Sequence, residues 1–150
     1  MKKIVCLLLA LMLVLSGCGQ EAVTKDLTAI KGSILSQLEI ADAMNLPAER
    51  LLDLYGIEAA QIKSSACFIT MGGAFPDEIV MVEAVDAAAA KEVTQKLEAR
   101  LADVKNQAQN YDAESYALLE KCKVTTTGTY VTLFISAKSE AMQSIFDNAK

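Results

Sequence analysis

Ala66-Cys67-Phe68-Ile69-Thr70-Met71, then Gly72-Gly73-Ala74-Phe75-Pro76-Asp77, then Glu78-Ile79-Val80-Met81-Val82-Glu83-Ala84-Val85: this continuous stretch decides the fold. Its two ends are apolar and rich in β-forming residues, so each reads as a strand. The middle is a loop that closes them into an antiparallel pair. A double glycine can cradle a phosphate, but no helix start follows here and no Lys-Ser/Thr is present, so the loop is not a P-loop. A hairpin turn accounts for it better.

Helical spacing surrounds this pair. Upstream, Asp26 is an N-cap, and Leu27, Ile30, Ile34, Leu38 and Ala41 recur at three- and four-residue steps. Pro47 and Gly56 bracket a second, short helix. Downstream, Asp86 caps the longest helix, over about 87–109, with Val93, Leu97, Leu101, Val104 and Ala108 as its buried stripe. Glu92 and Lys96 form a favourable i, i+4 pair on it. Tyr111-Asp112-Ala113-Glu114 breaks that helix and starts a short one. Residues 122–127 and 129–136 make a second hairpin turning at Thr127-Gly128. In its last strand Val131, Leu133 and Ile135 face one way, and Tyr130, Thr132 and Phe134 the other. A final helix carries Met142, Ile145, Phe146 and Ala149. The resulting order, α-α-β-β-α-α-β-β-α, predicts an α+β two-layer domain. It has a mainly antiparallel sheet of about four strands, with helices packed on one face. The other face, bearing Tyr130 and Phe134, is expected to be only partly covered and available for docking.

The N-terminus reads as an address. Met1-Lys2-Lys3 is a positive start, residues 4–15 are apolar and uncharged, and Ser16 and Gly17 are a small-residue exit. These are the parts of a secretory signal, and the run is short of the ~20 residues that span hydrocarbon. Leu15-Ser16-Gly17-Cys18 resembles the bacterial lipobox. That resemblance implies a diacylglyceryl thioether on Cys18 and cleavage just before it. The alternative is an ordinary signal peptide with an incidental cysteine, but position, spacing and flanks all favour lipidation. Two acyl chains, at ~0.8 kcal/mol per buried CH₂, hold a protein at a bilayer without further membrane contact. The expected organisation is a signal peptide over 1–17, a lipidated Cys18 with a short tether over 18–25, and one domain over 26–150. The tether reaches at most about 25 Å.

Composition narrows the chemistry. The chain has 150 residues, no His, no Trp and a net charge of −5, and its mean hydropathy of +0.29 includes the signal segment. Loss of Lys2 and Lys3 leaves 12 basic against 19 acidic residues, a net −7. An acidic domain is repelled by anionic lipid and by nucleic acid, so no nucleic-acid partner is expected. Absence of His removes Ser-His-Asp and Cys-His pairs and His-containing zinc sites. No cofactor, metal site or catalytic residue is expected. Of four cysteines, Cys6 leaves with the signal and Cys18 takes lipid. Cys67 and Cys122 are either buried small hydrophobes or a disulfide permitted by export. Arg100 lies on the rim of its helix's apolar stripe. It snorkels over the core, pairs with a carboxylate such as Glu83, or faces a ligand.

Leu54-Tyr55-Gly56-Ile57, Asp77-Glu78-Ile79 with its strand, the Arg100 helix, Tyr111 through Tyr116 and Gly128-Thr129-Tyr130-Val131 occur in that order. In this the chain resembles an uncharacterised family of clostridial-type, Gram-positive lipoproteins known only as a domain of unknown function. The resemblance covers nearly all of the mature chain and implies no catalytic residues. Where relatives often have Pro after the tyrosine, this chain has Asp112-Ala113.

The sequence therefore predicts a membrane-anchored, extracytoplasmic lipoprotein on the outer face of the cytoplasmic membrane. Its role is expected to be non-catalytic binding of a protein partner or small ligand at the cell surface. The expected surface comprises Arg100, the Gly72-Gly73 loop, Tyr130 and Phe134. Two other roles compete. One is an envelope-acting enzyme using carboxylates such as Asp77 and Glu78. The other is an accessory subunit of a membrane complex.

Overall fold

The computed structural model describes residues 24–72 and 76–149. The signal segment 1–17, Cys6, Cys18, tether residues 18–23 and Gly73 lie outside the described residues.

Strand β4 (Glu78–Ala84) is the axis of the molecule, and every one of its residues is buried. On one side it pairs with β6 (Tyr130–Ile135), which pairs in turn with β5 (Val124–Thr127). On the other it pairs with β2 (Ile62–Ser65) and β3 (Cys67–Ile69). These two keep one register along β4, with Ser65 opposite Val82 and Phe68 opposite Ile79. Between them the Ala66 N–H donates to the Met81 carbonyl at 3.0 Å. The pair thus behaves as one strand, with an irregularity between Ile62 and Ser64. β1 (Met44–Leu46) adds to the outer edge of β3. All pairings are antiparallel.

The α+β class and the antiparallel sheet agree with expectation, but the architecture differs in two respects. Among the described residues six strands form the sheet, not about four. β1 is three residues long, too short for a period of two to register, and it exists only through its ladder with β3. More important, helices cover both faces. Val80, Val82, Leu133 and Ile135 pack on one side against α3 (Ala87–Tyr111). α2 (Glu49–Tyr55) and α4 (Ala113–Leu119) complete that layer through Leu51, Tyr55 and Leu119. Ile79, Met81, Tyr130 and Phe134 pack on the other side against α1 (Leu27–Gln37) and α5 (Ser139–Asn148). The domain has three layers. The sheet face expected to be partly open is closed: Tyr130 is 7% and Phe134 2% exposed.

Local chemistry fixes the helix ends. Asp26 accepts from the Thr28 and Ala29 N–H groups at the start of α1, and Asp86 accepts from Ala89 N–H at the start of α3. Gly56 ends α2 at φ 68°. α1 ends differently. Glu39 takes the left-handed position, φ 49°, and the Ile40 N–H reaches back to the Leu35 carbonyl at 3.0 Å. This is a Schellman arrangement with a glutamate where glycine is usual. α3 is about 37 Å long at 1.5 Å per residue, whereas β4 spans about 23 Å. The helix therefore overshoots the sheet. Asp112 stops it and caps α4, which folds back and seats Leu119 in the core.

Neither α1 nor α5 carries a basic residue in its last turn. Each receives one from the other's start. Lys25, just before the α1 cap, is buried and donates from Nζ to the carbonyls of Phe146 at 2.9 Å and Ala149 at 2.7 Å. Its ammonium also lies 5.0 Å from the centre of the Phe146 ring. Lys138, which precedes α5, donates to the Leu38 carbonyl at 2.6 Å. Two antiparallel helices are thus clamped at both ends by cations placed where their dipoles are negative. Lys25 consequently belongs to the folded body and not to the tether. Lys25→Met keeps the aliphatic stem and strands the α5 carbonyls. It is expected to lower unfolding free energy by about 1–3 kcal/mol. Lys138→Met, at an exposed clamp, should lower it less, and urea denaturation measures both.

Candidate functional site

Arg100 sits midway along α3, on the face turned towards β4. There it meets Glu78 and not Glu83. Its Nε donates to Glu78 Oε2 at 3.1 Å, and its Nη2 donates to Glu78 Oε1. The Tyr55 hydroxyl also donates to Oε2, at 3.1 Å. Strand parity explains the choice of partner. Glu78 shares its side of β4 with Val80 and Val82, under α3. Glu83 points to the opposite side, where Lys63 and Ser64 donate to it at 2.7 and 2.9 Å. Burial, then the neighbouring Glu78 carboxylate, pushes the Tyr55 phenol far above its ordinary value, so it remains a donor. The hydrogen bond to Glu78 outweighs burial and raises Arg100 further above its already high value. A forked guanidinium and a phenol thus satisfy one buried carboxylate. This is the pairing alternative for Arg100, and it ties α2 and α3 to the start of β4.

A cleft opens at that same end of the sheet. One lobe, about 330 Å³, lies between the close of the β3–β4 loop and the α3–α4 corner, with Gly72, Asp77, Asp112, Glu114 and Ser136 in its wall. Lobes of about 620 and 260 Å³ adjoin it around Ser136, Ala137 and Lys138. Thr70 and Asp77 close the loop with two hydrogen bonds: Thr70 N–H to the Asp77 carbonyl at 3.0 Å, and Asp77 N–H to Thr70 Oγ1 at 3.3 Å. The 38–43 connection forms another wall through Ile40, Ala41 and Asp42, and Asp42 holds φ 56°. Left-handed backbone at a non-glycine is strained, and such strain gathers where a loop has been shaped for a task.

The carboxylates of the cleft are not alike. Asp112 accepts from Glu114 N–H at 3.0 Å and from the Ser115 hydroxyl. These bonds hold it below the ordinary carboxyl range while it caps α4. Burial pushes Asp77 the other way, upward, against the Ser136 hydroxyl and the Lys138 ammonium. Burial thus works against the charged form of Asp77, while Ser136 and Lys138 partly restore it. A group kept at such a disadvantage marks a candidate site.

The expected surface residues thus separate. Gly72 lines the cleft, Arg100 is committed to Glu78, and Tyr130 and Phe134 lie in the core. Tyr130 stands edge-on to Phe146, 6.3 Å between ring centres. Glu92 and Lys96 meet through Gln61, whose amide donates to Glu92 Oε2 and accepts from Lys96 Nζ at 2.7 Å. Cys67 and Cys122 are both free and buried, as the small-hydrophobe alternative holds. Burial pushes the Cys67 thiol up to about 12, so it is inert. Lys138 and Ser136 complete the cleft, and the sequence does not mark them. A lysine just before a helix and a serine just after a strand carry no local signature. No group of acidic or sulfur ligands that could hold a metal, and no helix long and apolar enough to cross a membrane, occurs among the described residues.

The fold and cleft define a small three-layer α+β domain with an antiparallel core sheet and a polar opening at one end. The chain belongs to the family described as "Domain of unknown function (DUF4358)", whose profile matches residues 36–136, from the end of α1 to the residue after β6. No curated protein and no solved structure matches it.

Two outcomes follow from this geometry. Arg100→Met leaves the Glu78 charge buried beneath a side chain that cannot pair with it. Removing one partner of a buried pair costs about 3–5 kcal/mol, and partial exposure of Arg100 brings the expected loss nearer 2–3 kcal/mol in urea denaturation. A ligand-facing arginine would leave stability unchanged. Asp77 has the opposite sign. Its folded-state value lies above the unfolded one, so its ionisation destabilises the fold at neutral pH, and the penalty disappears as pH falls below both values. Asp77→Asn should therefore raise the unfolding temperature at pH 7 and converge with the wild type towards pH 3.

Proposed function

We propose that this chain is an exported lipoprotein whose domain is a non-catalytic binding module, held on the outer face of the cytoplasmic membrane by a diacylglyceryl group on Cys18. The observation that carries this reading is the Leu15-Ser16-Gly17-Cys18 sequence followed, seven residues on, by a lysine already locked into the fold. An anchor so close to a folded body suits a protein that works at a surface. The resemblance to clostridial-type Gram-positive lipoproteins supports the same setting. The cleft around Gly72, Asp77, Ser136 and Lys138 is the binding surface of this proposal. It replaces the sheet face and Arg100, which are committed to the core.

An envelope-acting enzyme is the second reading. One observation favours it: Asp77, whose carboxyl burial raises above its ordinary value, lines the same lobe as Asp112 and Glu114. The adjacent carboxylate, Glu78, is engaged with Arg100 and Tyr55. An accessory role in a membrane complex is a form of the binding reading in which the partner is a membrane protein. Co-purification from solubilised membranes separates it from capture of a small ligand.

Replacing Cys18 with Ala should move the protein from the membrane pellet to the soluble fraction. The wild type should show a mass increase of one diacylglyceryl group on its N-terminal peptide. Membrane retention of the Cys18→Ala protein would contradict the anchor.

A further inference from the structure

The molecule has two ends, and the described chain enters at one of them. Lys25 donates its backbone N–H to the Tyr130 hydroxyl at 2.9 Å, at the start of β6, and its side chain to the end of α5. The cleft lies where β6 finishes, at Ser136, and where α5 starts, at Lys138. One strand of six residues and one antiparallel helix pair therefore separate chain entry from cleft. Both measures agree: about 20 Å along β6 at 3.3 Å per residue, and about 17 Å along α1 at 1.5 Å per residue.

We infer that the cleft is the membrane-distal end of the anchored protein and takes its ligand from the aqueous side, not from the lipid. The inference rests on the anchoring proposed above and adds a direction to it. Seven residue steps join Cys18 to Lys25. Relaxed, such a chain spans about 15 Å, and pulled straight about 25 Å. A domain of this size is about 35 Å across, from a radius of gyration near 14 Å. Turning the cleft down to the bilayer requires the chain to run back over about 20 Å from entry to cleft, beyond its relaxed span and near its full extension, so the entry end faces the bilayer at the lower cost in chain entropy. The hydrogen bonds at Lys25 remove the slack that a longer tether would supply. Charge acts in the same sense. Asp42, Asp77, Asp112, Glu114 and Glu140 outnumber Lys121 and Lys138 in the cleft lining, and that acidic balance is repelled by an anionic leaflet.

The test uses the full lipidated protein, purified from membranes and reconstituted in vesicles whose lipid headgroups carry a spin-label quencher. Single cysteines introduced as Val85→Cys and Asn148→Cys report on the entry end, and Glu114→Cys reports on the cleft. Each is labelled with a fluorophore, and the wild type controls for reaction at the buried Cys67 and Cys122. The expected result is quenching several-fold stronger at positions 85 and 148 than at 114, with the difference abolished in detergent. Equal quenching at all three positions, or stronger quenching at 114, overturns the orientation while leaving the anchor intact. Protein that fails to float with the vesicles overturns the anchor, and the orientation with it.

Discussion

A strand buried on both sides is the constraint on which the rest of this structure depends. From Glu78 to Ala84 every residue of β4 is buried. Such a strand needs hydrogen-bonded neighbours on both edges and apolar layers on both faces. The edges come from β6 and from the β2–β3 line. The faces come from α3 with α2 and α4 on one side, and from α1 with α5 on the other. Burying both faces also obliges the two glutamates of β4 to find partners. Glu78 takes Arg100 and Tyr55, and Glu83 takes Lys63 and Ser64. The bonds to Glu83 outweigh its burial and hold its carboxyl below the usual range, so this pairing stabilises the fold above about pH 4 and fades as pH falls through the lowered value.

The second face is the less secure of the two. α1 and α5 are 11 and 10 residues long, lengths at which isolated helices are marginal in water. They hold through tertiary means: Ile30, Ile34, Met142 and Phe146 against the sheet, and a lysine from each helix's approach on the other's final carbonyls. This arrangement links the start of the folded body to its last helix across more than a hundred residues. It also sets the polarity of the molecule, with chain entry at the Tyr130 end and cleft at the Ser136 end. Fold stability and the direction in which the cleft is offered therefore share the same contacts.

The sequence carried a signal for the two-sided sheet. Ile79-Val80-Met81-Val82 is apolar at four consecutive positions, and Tyr130 to Ile135 contains one polar side chain, Thr132. Runs without alternation belong to strands covered on both faces. Antiparallel hairpins more often leave one face wet, and that prior produced the expectation of a single helical layer. The structure shows the run to be the stronger indicator. The same correction moved the candidate site. Tyr130 and Phe134 belong under α1 and α5, and Arg100 belongs to Glu78. The cleft around Gly72 and Asp77 is open, and of it the sequence marked the loop but not Ser136 and Lys138.

Short-range chemistry was settled by the sequence by itself. The aspartate caps at Asp26, Asp86 and Asp112, the left-handed Gly56 and Gly128, the stripe from Val93 to Ala108 and the opposed sides of β6 all follow from rules spanning a few residues. Tertiary structure alone decided which helix covers which face, that Arg100 meets Glu78, that Lys25 and Lys138 clamp helices distant in the chain, and that Asp77 lies beside Ser136 in the lining of a cleft. The reason is geometric. Periodicity assigns a residue to a side of its own element. What opposes that side depends on the order in which elements stack, and that order is fixed only when the whole apolar surface has been buried at once.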